Sequence, residues 1–225
     1  MTSERDTILG KVRGALGKHR TDDASLAEAQ AYIDAHAQGP RPSLRDDLVS
    51  RFVQRAGDME STVERVADRN EIPRAISRYL DGVESSPGAR EGFRKGVCWL
   101  EFADLDWAGA GLAIEARPTT GDDVLGITGV FCAIAETGTL VVLPGSATPT
   151  ATTLLPETHI AIVGSGRIVA GMEEAFALIR SERGMLPRAV NLISGPSRTG
   201  DIEQTIVLGA HGPYRVHVLV LGART

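Results

Sequence analysis

Apolar positions give the chain two textures. In the leading third they recur at helical spacing, first as Ile8, Leu9, Val12 and Leu16, later as Leu44, Leu48, Phe52 and Val53. Thr2 or Ser3 can cap the first of these helices. Residues 24–37 form an alanine-rich, weakly amphipathic stretch that Gly39-Pro-Arg-Pro42 breaks. Residues 62–67 suit a short strand, and residues 72–80 a helix with Pro73 in its first turn. This third has no chemical motif. It reads as a helical extension or cap over residues 1–84, packing on the body or on another subunit.

From Gly96 onward the pattern changes. Short apolar runs at 97–102, 112–115, 139–143, 160–163, 190–193 and 216–221 predict strands, and residues 172–183 predict a helix. Val124, Leu125, Ile127, Val130, Phe131 and Ile134 predict a buried helix over 122–135, with Asp122 and Asp123 at its positive end. Residues 201–208 predict a short helix that Gly209 stops. Strands alternating with helices imply an α/β domain over 85–225: an open, mostly parallel sheet with helices on both faces. The threonine-rich segment 146–153 reads as a surface loop or lid. Gly164-Ser-Gly166 lacks the third glycine of a dinucleotide fingerprint and reads as a turn.

Chemistry gathers at two predicted reversals. In residues 191–201 an apolar run meets a Gly-Pro turn, followed by hydroxyls, an arginine and a helix start at Asp201, where Gln204 completes a capping-box spacing. Such a turn would set backbone N–H groups with Ser194, Gly195, Pro196, Ser197, Arg198, Thr199 and Asp201 around one volume suited to a carboxylate or phosphate. An ordinary βα connection whose polar residues only cap the helix explains the same residues equally well. The second reversal is Glu136-Thr137-Gly138-Thr139. A partly buried glutamate before a glycine turn is a candidate base or nucleophile; equally, its carboxylate could pin the turn. His159 at a strand start and His211 in a Gly-and-Pro-bounded connection are further candidates, each with a structural alternative. His19, His36 and His217 read as surface or strand-edge residues.

Composition narrows the function. At 225 residues and 42% hydrophobic the chain can build a real core, made of Val, Leu, Ile and Ala because aromatics are only 4%. A net charge of −5 with no basic stripe argues against nucleic acid. The first residues lack a signal-peptide apolar region and no run approaches a membrane span, so a cytoplasmic protein is expected. No metal site is expected, since His-x-x-x-His, Cys-x-x-Cys and clustered carboxylates are absent from the sequence. Cys98 and Cys132 lie in apolar stretches, and two cysteines cannot hold a four-cysteine iron–sulfur cluster.

Three blocks, taken in order, resemble one known family. Ala135-Glu-Thr-Gly-Thr-Leu140, Leu155-Pro-Glu-Thr-His-Ile160, and Ile193-Ser-Gly-Pro-Ser-Arg-Thr-Gly-Asp-Ile-Glu203 with Gly209-Ala-His-Gly-Pro213 are similar to the lactate-utilisation (LUD-domain) family, C-type subunit. The resemblance covers roughly residues 85–222. It implies the fold of ribose-phosphate isomerases, glucosamine-phosphate deaminases and CoA transferases. It also implies a subunit of an L-lactate-oxidising complex, with lactate taken to pyruvate beside separate iron–sulfur partner subunits. On that reading the chain holds no cofactor itself and binds a small carboxylate or an anionic cofactor, and homo-oligomer formation is left open. Two other readings remain: a self-sufficient acyl/CoA-transferase-like or sugar-phosphate enzyme with Glu136 as catalytic carboxylate, and a non-catalytic assembly subunit.

Overall fold

The computed structural model describes residues 4–17, 23–37, 39–42, 47–85, 92–199 and 207–222. The chain divides into two compact units, Met1–Ser43 and Leu44–Thr225. In the first, α1 (Glu4–Ala15) and α2 (Asp23–Ala35) bury no side chain. Ile8, Val12 and Leu16 form the expected stripe but remain exposed.

The second unit begins with α3 (Leu48–Asp58), whose first turn is capped by Asp47 accepting from the Ser50 backbone N–H at 2.8 Å. Then come β1 (Thr62–Val66), α4 (Ile72–Glu84), β2 (Lys95–Cys98), β3 (Ala113–Ala116) and β4 (Leu125–Gly129). The short β5 (Cys132–Ile134) and β6 (Thr139–Val142) precede α5 (Ala151–Leu154), β7 (Thr158–Gly164), β8 (Ile168–Val169) and α6 (Met172–Arg183). The chain closes with β9 (Asn191–Ile193), β10 (Arg198–Thr199), β11 (Val207–Leu208) and β12 (Arg215–Leu221).

Six strands form one parallel sheet in the order β1-β12-β7-β4-β2-β3. A second sheet, β8-β5-β6-β9, mixes parallel and antiparallel pairs, and β10 and β11 form a small ribbon. Alternation along β12 explains the layers. Val216, Val218 and Val220 pack with Phe52 and Ala56 of α3 and with Ala133 and Leu140 of the second sheet. Leu219 points the other way, into a cluster with Ile72, Ile76 and Leu80 of α4. Helices therefore cover both faces of the large sheet, and the second sheet shares one face with α3. The far side of that second sheet is closed by Ala175 and Ile179 of α6.

Three expectations need correction. The boundary expected at 84/85 falls at 43/44, because β1 pairs with β12 from Thr62↔His217 to Val66↔Leu221 and α4 supplies core. The helix expected over 122–135 is instead β4 and β5. Strands buried on both faces read as an unbroken apolar run, which imitates helical spacing. Asp122 and Asp123 therefore cap no helix. Asp123 accepts from Arg117 at 2.8 and 3.0 Å and from the Thr119 hydroxyl at 2.8 Å. In segment 146–153, Thr152 and Thr153 are buried in α5, so only its first half is a surface loop.

Candidate functional site

The two reversals marked by the sequence meet at the amino ends of β1 and β12. β6 and β9 run antiparallel with Leu140 opposite Ile193, which places the residues just beyond that pair side by side. The Thr137 hydroxyl lies 2.7 Å from that of Thr139, which lies 2.7 Å from that of Ser194. Three hydroxyls thus form one chain between the turns. Gly138 (φ +69°) and Gly195 (φ +84°) adopt backbone that L side chains rarely reach. A Cβ on Gly138 would run into the Arg55–Ala56 backbone, and one on Gly195 into the Met59 carbonyl. Both turns therefore press on the carbonyl end of α3. That end is the negative pole of the helix, so any attraction for an anion here must come from side-chain cations.

The remaining residues of these turns are mostly held by their own partners. Glu136, half-buried, sits in the β5–β6 hairpin rather than at a helix end, and its backbone N–H donates to the Ala170 carbonyl at 3.0 Å. Ser197 donates its N–H to Pro213 O and accepts from Gly209 N–H, both at 2.9 Å, while its hydroxyl accepts from the His211 N–H at 3.3 Å. Arg198 pairs with Glu60 at 2.7 Å. The strand before this turn does not enter a helix among the described residues: Arg198 and Thr199 lie opposite Leu208 and Val207 in the ribbon. Asp201 and the helix start expected there lie outside the described residues, and the end expected at Val207 and Leu208 is strand. Pro196 lines a cavity of about 360 Å³ together with Glu60, Thr62, Tyr79 and Arg215.

The histidines divide differently from the sequence reading. His211 is exposed in the loop that braces Ser197. His159 is wholly buried on β7, its Nε2 2.8 Å from the Thr128 hydroxyl and its Nδ1 without a partner. His217, expected at an edge, is buried between β1 and β7. Its Nδ1 lies 2.8 Å from the Thr62 hydroxyl, its ring stacks on Tyr79 at 4.0 Å, and its Nε2 has no partner. Loss of water pushes both imidazoles down from 6.5 to about 4.

Sequence reasoning missed the opposite, carboxyl end of the sheet. The chain leaves β2 toward the edge strand β3 but leaves β4 toward β7 on the other side, so the carboxyl end of the paired strands β2 and β4 is a topological switch point, where open α/β sheets characteristically hold ligands. A cavity of about 290 Å³ lies there, lined among others by Trp99, Glu101, Gly129, Phe131, Arg167 and Arg183. Burial pushes the Glu101 carboxyl up, although the Gly129 backbone N–H that it accepts and nearby Arg69 both favour its charged form. Arg167 donates to the Phe131 carbonyl at 2.8 Å, pairs with Glu182, and lies over the Phe131 ring at 4.6 Å. The Trp99 indole N–H donates to the Pro149 carbonyl at 3.3 Å, tying loop 143–150 to the crevice. Cys98 beside it is buried, and burial pushes its thiol up to about 11, which makes it inert packing. A polar residue just past an apolar strand, such as Glu101 after β2, was the available signal.

Among the described residues no helix is long and apolar enough to cross a membrane, and no three His, Cys, Asp or Glu side chains group to hold a metal.

Similarity to known proteins agrees with this architecture. The description of the LUD domain matches residues 49–221. Lactate utilization protein C of Shouchella clausii is 37% identical over 236 residues, spanning 98% of this chain and 99% of that protein. Lactate utilization protein C of a Geobacillus species is 38% identical over 103 residues, and that of Bacillus subtilis 37% over 103, each match spanning 43% of the relative's length. A DUF162-family protein from Deinococcus radiodurans, known from its crystal structure, superposes with a TM-score of 0.57 and 22% identity, covering 80% of this chain and 100% of that one. At that identity the likeness speaks for the fold alone. With the domain description matched from α3 through β12 and an end-to-end relative at this identity, the chain belongs to the LUD-domain family.

Proposed function

We propose that this protein is the C-type component of a lactate-utilisation system, acting beside separate iron–sulfur subunits in the oxidation of lactate to pyruvate. The observation that supports this most is the end-to-end likeness to a lactate utilization protein C, spanning 98% of this chain. The described cysteines, Cys98 and Cys132, are both buried and free, which suits a division of labour in which partners hold the clusters. The chain's own part is to bind a small carboxylate at the turn of Ser194, Gly195, Pro196, Ser197, Arg198 and Thr199. Arg198 supplies the charge, and the hydroxyls of Ser194, Thr139 and Thr137 supply hydrogen bonds. Its pair with Glu60 does not prevent this. Arg198 is 37% and Glu60 60% exposed, and an exposed pair is worth only about 0–1 kcal/mol, so a ligand carboxylate can take Glu60's place.

The test is thermal unfolding of the full chain with L-lactate and pyruvate, in wild type and Arg198→Ala. Stabilisation that grows with ligand concentration in the wild type and vanishes in the variant supports the reading. Equal stabilisation in both forms, or none in the wild type, rules out the turn as the carboxylate site. Co-purification with iron–sulfur subunits, followed by lactate-dependent electron transfer, tests the system-level part separately.

A further inference from the structure

The crevice at the carboxyl ends of β2 and β4 combines features that the proposed lactate turn does not use. Its shape follows from strand order, and its size exceeds what a three-carbon acid fills. Beside the 290 Å³ cavity, and sharing Leu143, Thr148 and Arg183 with it, lies a second hollow of about 550 Å³ that adds Met185, Leu186 and Arg188. Volumes of about 300–1,000 Å³ are those of sites that enclose cofactor-sized ligands.

The charges are arranged unevenly. Arg167 is committed to Glu182 and to the Phe131 carbonyl. Arg183 and Arg188 have no ion pair among the described residues, although both are exposed. Arg183 instead lies over the Phe131 ring, 5.9 Å from its centroid, and is shared by the two hollows. Arg183 and Arg188 both line the larger hollow, with Glu182, beside Arg183, already paired to Arg167, and two such guanidiniums suit a dianion because the guanidinium fork matches phosphate oxygens in pairs. Glu101 lines the smaller cavity and not the larger hollow. Its carboxylate rests on Gly129, where a Cβ would collide with it, and accepts the Gly129 backbone N–H. Trp99 and Val130 supply apolar surface to the smaller cavity.

We infer that this crevice is a second ligand site, distinct from the Arg198 turn, that takes a phosphate monoester of an organic molecule. The phosphate lies between Arg183 and Arg188, the organic body lies along Trp99 and Val130, and a hydroxyl or amine of that body meets Glu101. Glu101, exposed at the mouth of the cavity, accepts from the donor at that contact. Loop 143–150, tied down through Trp99 and Pro149, forms the shared rim of both hollows.

The experiment is titration of the full chain with AMP, glycerol 3-phosphate and inorganic phosphate at fixed ionic strength, followed by tryptophan fluorescence and calorimetry. Saturable binding of at least one organic monoester, tighter than that of inorganic phosphate, is expected. Arg183→Ala/Arg188→Ala should weaken it tenfold or more, with the unliganded melting temperature and the lactate response unchanged. Gly129→Ala, which displaces the Glu101 carboxylate, should weaken the organic monoesters but not inorganic phosphate. Lys at both arginine positions should restore part of the affinity. No saturable binding of any organic monoester, undiminished binding in the double alanine variant, or equal affinity for inorganic phosphate and the monoesters would each overturn the inference. Because Arg198 is untouched, these outcomes are separate from the fate of the lactate turn.

Discussion

The two ends of the six-stranded sheet are finished in opposite ways. At the amino end, hairpin, turn and ribbon lock together through glycines pressed against α3, a hydroxyl chain and the backbone bonds of Ser197. At the carboxyl end, β2 and β4 stay paired but the connections leaving them part to opposite sides, and a crevice opens between those connections. The difference teaches where recognisable sequence and open chemistry part company. Close packing demands particular residues in a row, so the amino end has a local signature. A crevice is assembled from distant chain segments and needs only a few groups from each.

If the amino end is a packed joint, the largest effect should come from filling it. Gly195→Ala combines a positive φ with a Cβ driven into the Met59 carbonyl, and about 2–5 kcal/mol of stability should be lost. Denaturant midpoints measure this, and an unchanged midpoint would mean that the joint is loose. Gly138→Ala should behave alike.

Acid should loosen the same end next. His159 and His217 both lie in the amino half of their strands and are held neutral, with folded values near 4 against 6.5 when unfolded. The unfolded chain therefore binds protons first. Stability is full above about pH 6.5 and falls as pH drops toward 4, by about 3 kcal/mol for each imidazole. Unfolding curves at pH 7 and pH 4.5 test the sign. Greater stability at pH 4.5 would contradict burial of the neutral rings.

Smaller effects sharpen the contrast from the side of function. Arg198→Ala should cost less than about 1 kcal/mol of unliganded stability, since its ion pair is exposed, while removing the response to lactate. A larger loss of stability in denaturant titration would make Arg198 part of the joint instead. Smallest is Glu136→Gln, expected to shift stability by no more than about 0.5 kcal/mol and to leave lactate-dependent electron transfer intact in a reconstituted system. Loss of that activity with the fold unchanged would favour an enzyme using Glu136 as its catalytic carboxylate.

How much of this was legible depends on how local each feature is. Helix α6 was read with its observed bounds because twelve residues with acids in the first turn and Gly184 beyond the last state a helix without tertiary help. Strands β6 and β12 were read to within a residue for the same reason. The run at 122–135 failed because doubly buried strands and a buried helix share one apolar texture, and Gly126, Thr128 and Gly129 were the overlooked objection. The hydroxyl chain was half legible: its residues were named, but their contact depends on β6 pairing with β9. Of the crevice only Glu101, a polar residue just past an apolar strand, was legible. Trp99, Glu101, Gly129, Phe131 and Arg183 become neighbours only through strand order, which no short stretch of sequence encodes.

The central claim is that the two ends receive different anions. It is tested most directly by one crossed titration: L-lactate and AMP, each against wild type, Arg198→Ala and Arg183→Ala/Arg188→Ala, by calorimetry under one buffer condition. The account predicts that the first variant loses lactate and keeps AMP, and that the second loses AMP and keeps lactate. Loss of both ligands in a single variant, or of neither in both, would contradict it.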